Sequence, residues 1–157
     1  MLSVISNSYF KNGFFHMDER IKECGILTIK NTNFMNNTSE NGTILNVPFL
    51  NSETGSSINF NSCYFSNNTA SNFGGVINSM GEYNNKHMKF TNNQYSDNHA
   101  KLGNIIYGYS KNSFPSIGNI NKSDKTSLPS TFKLDNTTYS SISILSGQNI
   151  PGNITGK

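Results

Sequence analysis

A segment of about 30 residues recurs along this chain, a period in the range that marks repeat architectures. That repeat constrains the fold more than any other feature. Residues 29–39, 60–70 and 90–100 share one spacing. Each opens on an apolar residue (Ile29, Phe60, Phe90) and places an aromatic five positions on (Phe34, Phe65, Tyr95). An Asn follows three positions later (Asn37, Asn68, Asn98), then a glycine further downstream (Gly42, Gly74, Gly103) that precedes an apolar pair. The three aromatics recur at almost equal intervals. A weaker copy, Ile5 to Phe10, precedes them at a shorter interval and sets Phe10 against Phe34.

Within each unit the apolar residues alternate over short runs: Leu27 and Ile29, Ile58 and Phe60, Met88 and Phe90. That is the period of a half-buried strand. Runs of three to five residues bounded by Asn, Ser and Gly make no stable sheet alone. Stacking successive units about 4.8 Å apart pairs each strand with the coils above and below. Equivalent positions then form ladders. Phe34/Phe65/Tyr95 and Ile29/Phe60/Phe90 fall inside the coil, and Asn37/Asn68/Asn98 fall at a turn. Asn suits that turn because it tolerates left-handed backbone angles and its amide can bond to the Asn of the next coil. Gly42, Gly74 and Gly103 mark a second corner where φ is expected to be positive. The expected fold is all-β: a right-handed parallel β-helix, a single-stranded solenoid of about 30 residues per coil. It is expected over residues 1–109. Residues 110–131 are polar, hold two of the four prolines and read as a loop or linker insertion. Residues 132–157 read as a further coil or the start of another β module.

Composition bears on the alternatives. The chain has 27 asparagines and 34 Ser and Thr residues among 157, with 13% charged and 34% hydrophobic residues. No apolar stretch approaches the ~20 residues of a membrane span. A helical bundle would need Ala, Glu and Lys that are scarce here. Disorder is the competing reading of so polar a chain, but 18 aromatics placed at repeating positions argue against it. A β-sandwich has no self-match at so long a period, and a leucine-rich repeat needs a Leu pattern that is missing. A net charge of +3, scattered along the chain, gives no reason to expect nucleic acid as a partner. The first residues carry neither a basic stretch nor the apolar segment of a signal peptide. The chain therefore reads as intracellular, or as an internal or truncated piece of a longer protein.

The motif F-x-x-N followed by G-G-[AVI]-[IV] resembles the repeat of polymorphic outer-membrane proteins and related large extracellular β-helix proteins. It is cleanest as Phe65-Ser66-Asn67-Asn68 with Gly74-Gly75-Val76-Ile77. Phe34-Met35-Asn36-Asn37 and Tyr95-Ser96-Asp97-Asn98 repeat the first half. The resemblance covers roughly residues 27–107. It implies a β-helix displayed at a cell surface or secreted, as part of a longer protein, and used as a stalk or for adhesion. The partners implied are a host or matrix polysaccharide or protein, or self-association.

β-Helices also house polysaccharide lyases and hydrolases, so a pectin lyase-like enzyme or an inactive polysaccharide-binding relative is the alternative. Such chemistry needs clustered carboxylates and a basic residue. The nine acids form no ladder in the repeat register, and Arg20 is the single arginine. The nearest approach to a catalytic pair is Glu53 and Glu82, which fall at similar spacings beyond Phe34 and Phe65. Adjacent coils would bring them toward the roughly 5–9.5 Å of glycosidase carboxylates. Residues 18–23 hold much of the charge and read as a solvated turn or short helix. His16, His87 and His99 have no metal-ligand spacing, and no cofactor motif is present, so neither metal nor cofactor is expected. Cys24 and Cys63 do not stack in register. Tyr83, Tyr107 and Tyr109 are the aromatics expected on the outside, and therefore the candidate sugar contacts. The reading that results is a non-catalytic structural or adhesin-like segment.

Overall fold

The computed structural model describes residues 2–20, 23–118 and 120–129, with the backbone of three short strands beyond. Two compact units divide the chain at residue 127. The first is a parallel β-helix. Its first coil holds β1 (Ser3–Ser6), β2 (Tyr9–Phe10), β3 (Phe15–Asp18) and β4 (Ile26–Lys30). The second holds β5 (Thr32–Met35), β6 (Thr38–Asn41), β7 (Leu45–Phe49) and β8 (Ser57–Asn61). The third holds β9 (Tyr64–Ser66), β10 (Thr69–Phe73), β11 (Ile77–Ser79), the one-turn helix α1 (Asn84–His87) and β12 (Met88–Thr91). The fourth keeps β13 (Gln94–Ser96) and β14 (Ile106–Gly108) as strands, and reduces the other two to isolated bridges, at His99 and Leu102 and at Ser116. β15 (Lys125–Ser127) follows.

Equivalent strands stack into four sheets: β1-β5-β9-β13, β2-β6-β10, β3-β7-β11-β14-β15 and β4-β8-β12. We call these faces A, B, C and D in the order the chain visits them. Register follows the repeat. Phe34 faces Phe65 and Phe65 faces Tyr95. Ile29 faces Phe60 and Phe60 faces Phe90. The rings of Phe34 and Phe65 stack at 5.3 Å and those of Phe65 and Tyr95 at 5.2 Å. Phe60 and Phe90 stack at 5.2 Å. These separations are the strand spacing with a small offset. Leu45, Ile77 and Ile106 line face C from inside. The core is thus a set of parallel columns running along the coil.

Three corners of each coil are tight and have the same cause. At the A–B corner the positive-φ residue is Asn7, Asn36, Asn67 or Asp97. At the B–C corner it is Gly13, Gly42, Gly74 or Gly103, and at the D–A corner Asn31, Ser62 or Asn92. A single left-handed residue redirects the strand within one step. A Cβ on Gly74 would lie 2.0 Å from the Ile77 carbonyl oxygen, so this corner admits only glycine.

Two expectations change in register. The first-coil copy pairs differently from the aromatic match: Ile5, not Phe10, faces Phe34, and Phe10 faces Ser39 on face B. The match misled because the first rung of that column is aliphatic. Second, the left-handed residue at the A–B corner is Asn36 or Asn67, one position before the buried Asn37 or Asn68. Residues 110–127, which show no alternation in sequence, lie within the first unit. Ser116 bridges to Lys89 on face D, and β15 adds a fifth strand to face C. The second unit, from residue 128, holds the antiparallel strands β16 (Phe132–Leu134), β17 (Thr137–Tyr139) and β18 (Thr155–Gly156). The remaining residues of 132–157 lie outside the described residues.

Candidate functional site

The fourth corner, between faces C and D, is different. Here the chain leaves the coil for longer loops: 19–25, 50–56, 80–87 and 109–115. Because the coils are in register, these loops stack in one row along one edge of the solenoid. The row gathers residues that are far apart in sequence. Glu53, Glu82, Tyr83 and Tyr109 all belong to it, while the other three corners offer no loop to vary.

A buried carboxylate organises its first two members. Glu19, 6% exposed, accepts hydrogen bonds from the Thr54 hydroxyl at 2.7 Å and from the Cys24 and Asn51 amides at 3.2 and 3.3 Å. Burial pushes this carboxyl up, but hydrogen bonds from Ser56, Thr54, Cys24 and Asn51 outweigh it and leave the pKa lowered. Glu23 accepts from the Gly55 amide at 3.0 Å, a second tie between the same loops. Of residues 18–23, Ile21 and Lys22 lie outside the described residues, and the others are only partly the solvated turn expected. Asp18 and Arg20 pair at the surface, but Glu19 turns inward and cross-links two coils. Its signal in sequence was an acid about one repeat period before Asn51 and Thr54, with no matching acid in the next unit.

Further along the row, the ring of Tyr83 carries the Lys86 ammonium at 5.1 Å, a cation–π contact. His87 reaches the Ser52 carbonyl at 3.4 Å. Asn84, at the start of α1, donates to the Ser79 hydroxyl at 2.7 Å and fixes the third loop on its strand. Tyr109 is 44% exposed at the start of the fourth loop. Glu53 and Glu82 sit on adjacent loops with both side chains exposed.

Tyr107 departs from expectation. It is only 6% exposed. Its outward position on face C continues the column of Asn46 and Asn78, and its ring stacks on Phe73 at 4.7 Å. The sharp B–C corner folds Phe73 back over face C, so an outward residue there is covered rather than offered to a ligand.

The Asn column is a hydrogen-bonded ladder inside the A–B corner. Asn37 donates its backbone and side-chain N–H to Asn68 Oδ1 at 3.2 and 3.1 Å. Asn68 repeats both bonds to Asn98 Oδ1, each at 3.0 Å. Each amide also donates to a strand carbonyl: Asn37 to Ile5, Asn68 to Phe34, Asn98 to Phe65. In the first coil Ser8 takes the Asn position and closes the ladder with its own N–H on Asn37 Oδ1. A second, exposed ladder runs outside it, from Asn67 to Asn36 at 2.8 Å and from Asn36 to Asn7 at 3.3 Å.

Among the described residues, no three of His, Cys, Asp and Glu lie together as a metal site. No described helix is long and apolar enough to cross a membrane. Stacked parallel sheets with aromatic and Asn columns define the class of this molecule: a β-solenoid of the parallel β-helix type. Comparison with known proteins found no family model, curated protein or solved structure that matches the chain.

Proposed function

We propose that the chain is a non-catalytic β-helix segment of a cell-surface or secreted protein, working as a rigid spacer and as an adhesive surface. The observation that carries this reading is the asymmetry of the coil. Three corners turn on single left-handed residues, one of them backed by the inner Asn ladder, and the variation between coils concentrates in one row of loops. Such a row presents adjacent, independently variable contacts on a stiff support, which is what adhesion to a polysaccharide or protein surface requires. The resemblance to the polymorphic outer-membrane protein repeat agrees with it.

The alternative is a carbohydrate-active enzyme of the pectin lyase-like type using Glu53 and Glu82. One experiment separates the two. The purified chain is coated on beads and scored for attachment to polysaccharide and matrix-protein arrays, beside assays for release of reducing ends or unsaturated products. Attachment is expected to persist in the Glu53→Gln/Glu82→Gln double variant and to fall when loops 50–56 and 80–87 are replaced by Gly-Ser segments. Product release that the double variant abolishes would overturn the reading.

A further inference from the structure

The last coil is too short, and the shortfall leaves a cavity. From Lys89 on face D of the third coil the chain runs round to Ile106 on face C of the fourth. Their partners one coil on, Ser116 and Lys125, are joined by little more than half as much chain. Those residues cannot lay a strand under face A. They cross in a 3₁₀ turn (Lys122–Asp124) closed by a capping box between Asn121 and Asp124. The space left is a cavity of about 310 Å³ lined by Gln94, Tyr95, Ile105, Ile120, Asn121 and Asp124 among others. That lies at the small end of the range for ligand pockets.

Its walls are those of an unfinished rung. Among the described residues, β13 pairs with β9 and has no strand on its other side. Gln94 donates its N–H to Cys63 and Ser96 accepts from Asn67, so both point to β9. In a parallel ladder the residue between them points the other way, which turns the Tyr95 N–H and C=O toward the open edge. The Tyr95 ring covers Phe65 on one face, and among the described residues no further ring of that column stacks on the other. Its phenol oxygen is buried beside the Asn93 side chain, whose amide also serves the Phe60 carbonyl and the Cys63 N–H. Burial raises the Tyr95 pKa, so the group stays a neutral donor.

We propose that this cavity is a docking site for an extended peptide strand bearing a central aromatic residue, which completes the missing rung of face A. The peptide adds in parallel to β13, bonds to the Tyr95 backbone, and lays its ring on the free face of Tyr95 as Tyr95 does on Phe65. This is strand addition to a sheet edge with a side-chain pocket for specificity.

The test uses the full chain, labelled with ¹⁵N, and the blocked peptide acetyl-Tyr-Phe-Ser-Asn-Asn-amide, which copies the third-coil strand. Saturable shift changes are expected at residues 94–96, Ile105 and Ile120. The same peptide with Ala for Phe is expected to bind at least roughly tenfold more weakly, about 1.4 kcal/mol. Ile120→Trp fills the cavity and is expected to weaken binding by a similar factor with the melting temperature retained. Should that variant unfold, Ile120→Phe serves with a smaller change in volume. Absence of saturable shifts, equal binding of the Ala peptide, or shifts centred on the open edge of β1 instead of β13 would each overturn the proposal.

Discussion

Asn68 sits at the centre of the buried ladder and is fully enclosed. Removing its side chain in Asn68→Ala deletes four hydrogen bonds. Two are donated, to Phe34 O and Asn98 Oδ1; two are accepted, from the Asn37 backbone and amide N–H. At a net ~0.5–1.5 kcal/mol each, with the Asn37 backbone N–H left buried and unpaired, the loss is about 3–5 kcal/mol. Asn68→Asp is the sharper probe. It keeps the acceptor for Asn37 but sets a second oxygen against the Phe34 carbonyl and Asn98 Oδ1, where the amide donated. Protonation restores one donor, so the introduced carboxyl has a folded pKa above its unfolded value. The penalty is then present above that folded pKa and recedes as pH falls through it. Urea unfolding followed by circular dichroism, at pH 7 and at steps down to pH 4, measures both effects. A loss below about 1 kcal/mol for Asn68→Ala, the level of an ordinary surface change, would refute the ladder as a stabilising element. So would a pH-independent Asn68→Asp.

The neighbouring position separates the two roles of the Asn pair: Asn67→Gly, at a left-handed exposed site, should cost no more than about 1 kcal/mol in the same unfolding assay, since Gly adopts αL freely and only the exposed bond to Asn36 is lost. Gly74→Ala should cost several kcal/mol because its Cβ meets the Ile77 carbonyl at 2.0 Å. Gly118→Ala, with φ +86° and open space around it, should cost only the ~1–2 kcal/mol of backbone strain. Thermal unfolding of both variants tests that contrast. Glu19→Ala should cost about 2 kcal/mol through its lost charged hydrogen bonds. The stability Glu19 contributes is fully present above the ordinary carboxyl value of 4.5 and is lost as pH falls through its lowered folded value. The Ala variant should therefore lose less stability than the parent between pH 5 and 3 in an acid titration of the unfolding midpoint. Finally, Asp97→Asn is expected to stabilise by about 0.5 kcal/mol by adding a donor to the exposed Asn67–Asn36–Asn7 ladder. An unchanged melting temperature would count against it.

The coil itself was legible because its determinants are local and repeat. Alternation fixed which residues point inward, and the repeat period fixed which meet. That is why Phe34/Phe65/Tyr95 and Asn37/Asn68/Asn98 could be read without coordinates. Register was less legible where one rung changes chemistry: Ile5 takes an aromatic's place, and the sequence match slid to Phe10. Ser116 and β15 were invisible because a single bridge and a three-residue strand generate no alternation. The candidate site was the least legible. Tyr107 alternates outward as expected, but its burial depends on Phe73 one coil earlier, folded over by a corner whose angle no local pattern states. Glu19 is charged and sits among charges, and only the loop one coil on turns it into a buried cross-link.

These failures share a cause that also bears on function. Contacts along the coil axis join residues one period apart and repeat, so sequence periodicity encodes them. Contacts made at the C–D corner also join residues about one period apart, yet each is made once: Glu19 with Thr54, Glu23 with Gly55, His87 with Ser52. Non-repeating contacts leave each loop free to change with little effect on coils beyond its neighbours, since energy in a solenoid passes only to adjacent rungs. The columns that make the fold readable are the part that must stay constant. The loop row that defeats reading is the part on which recognition can be built.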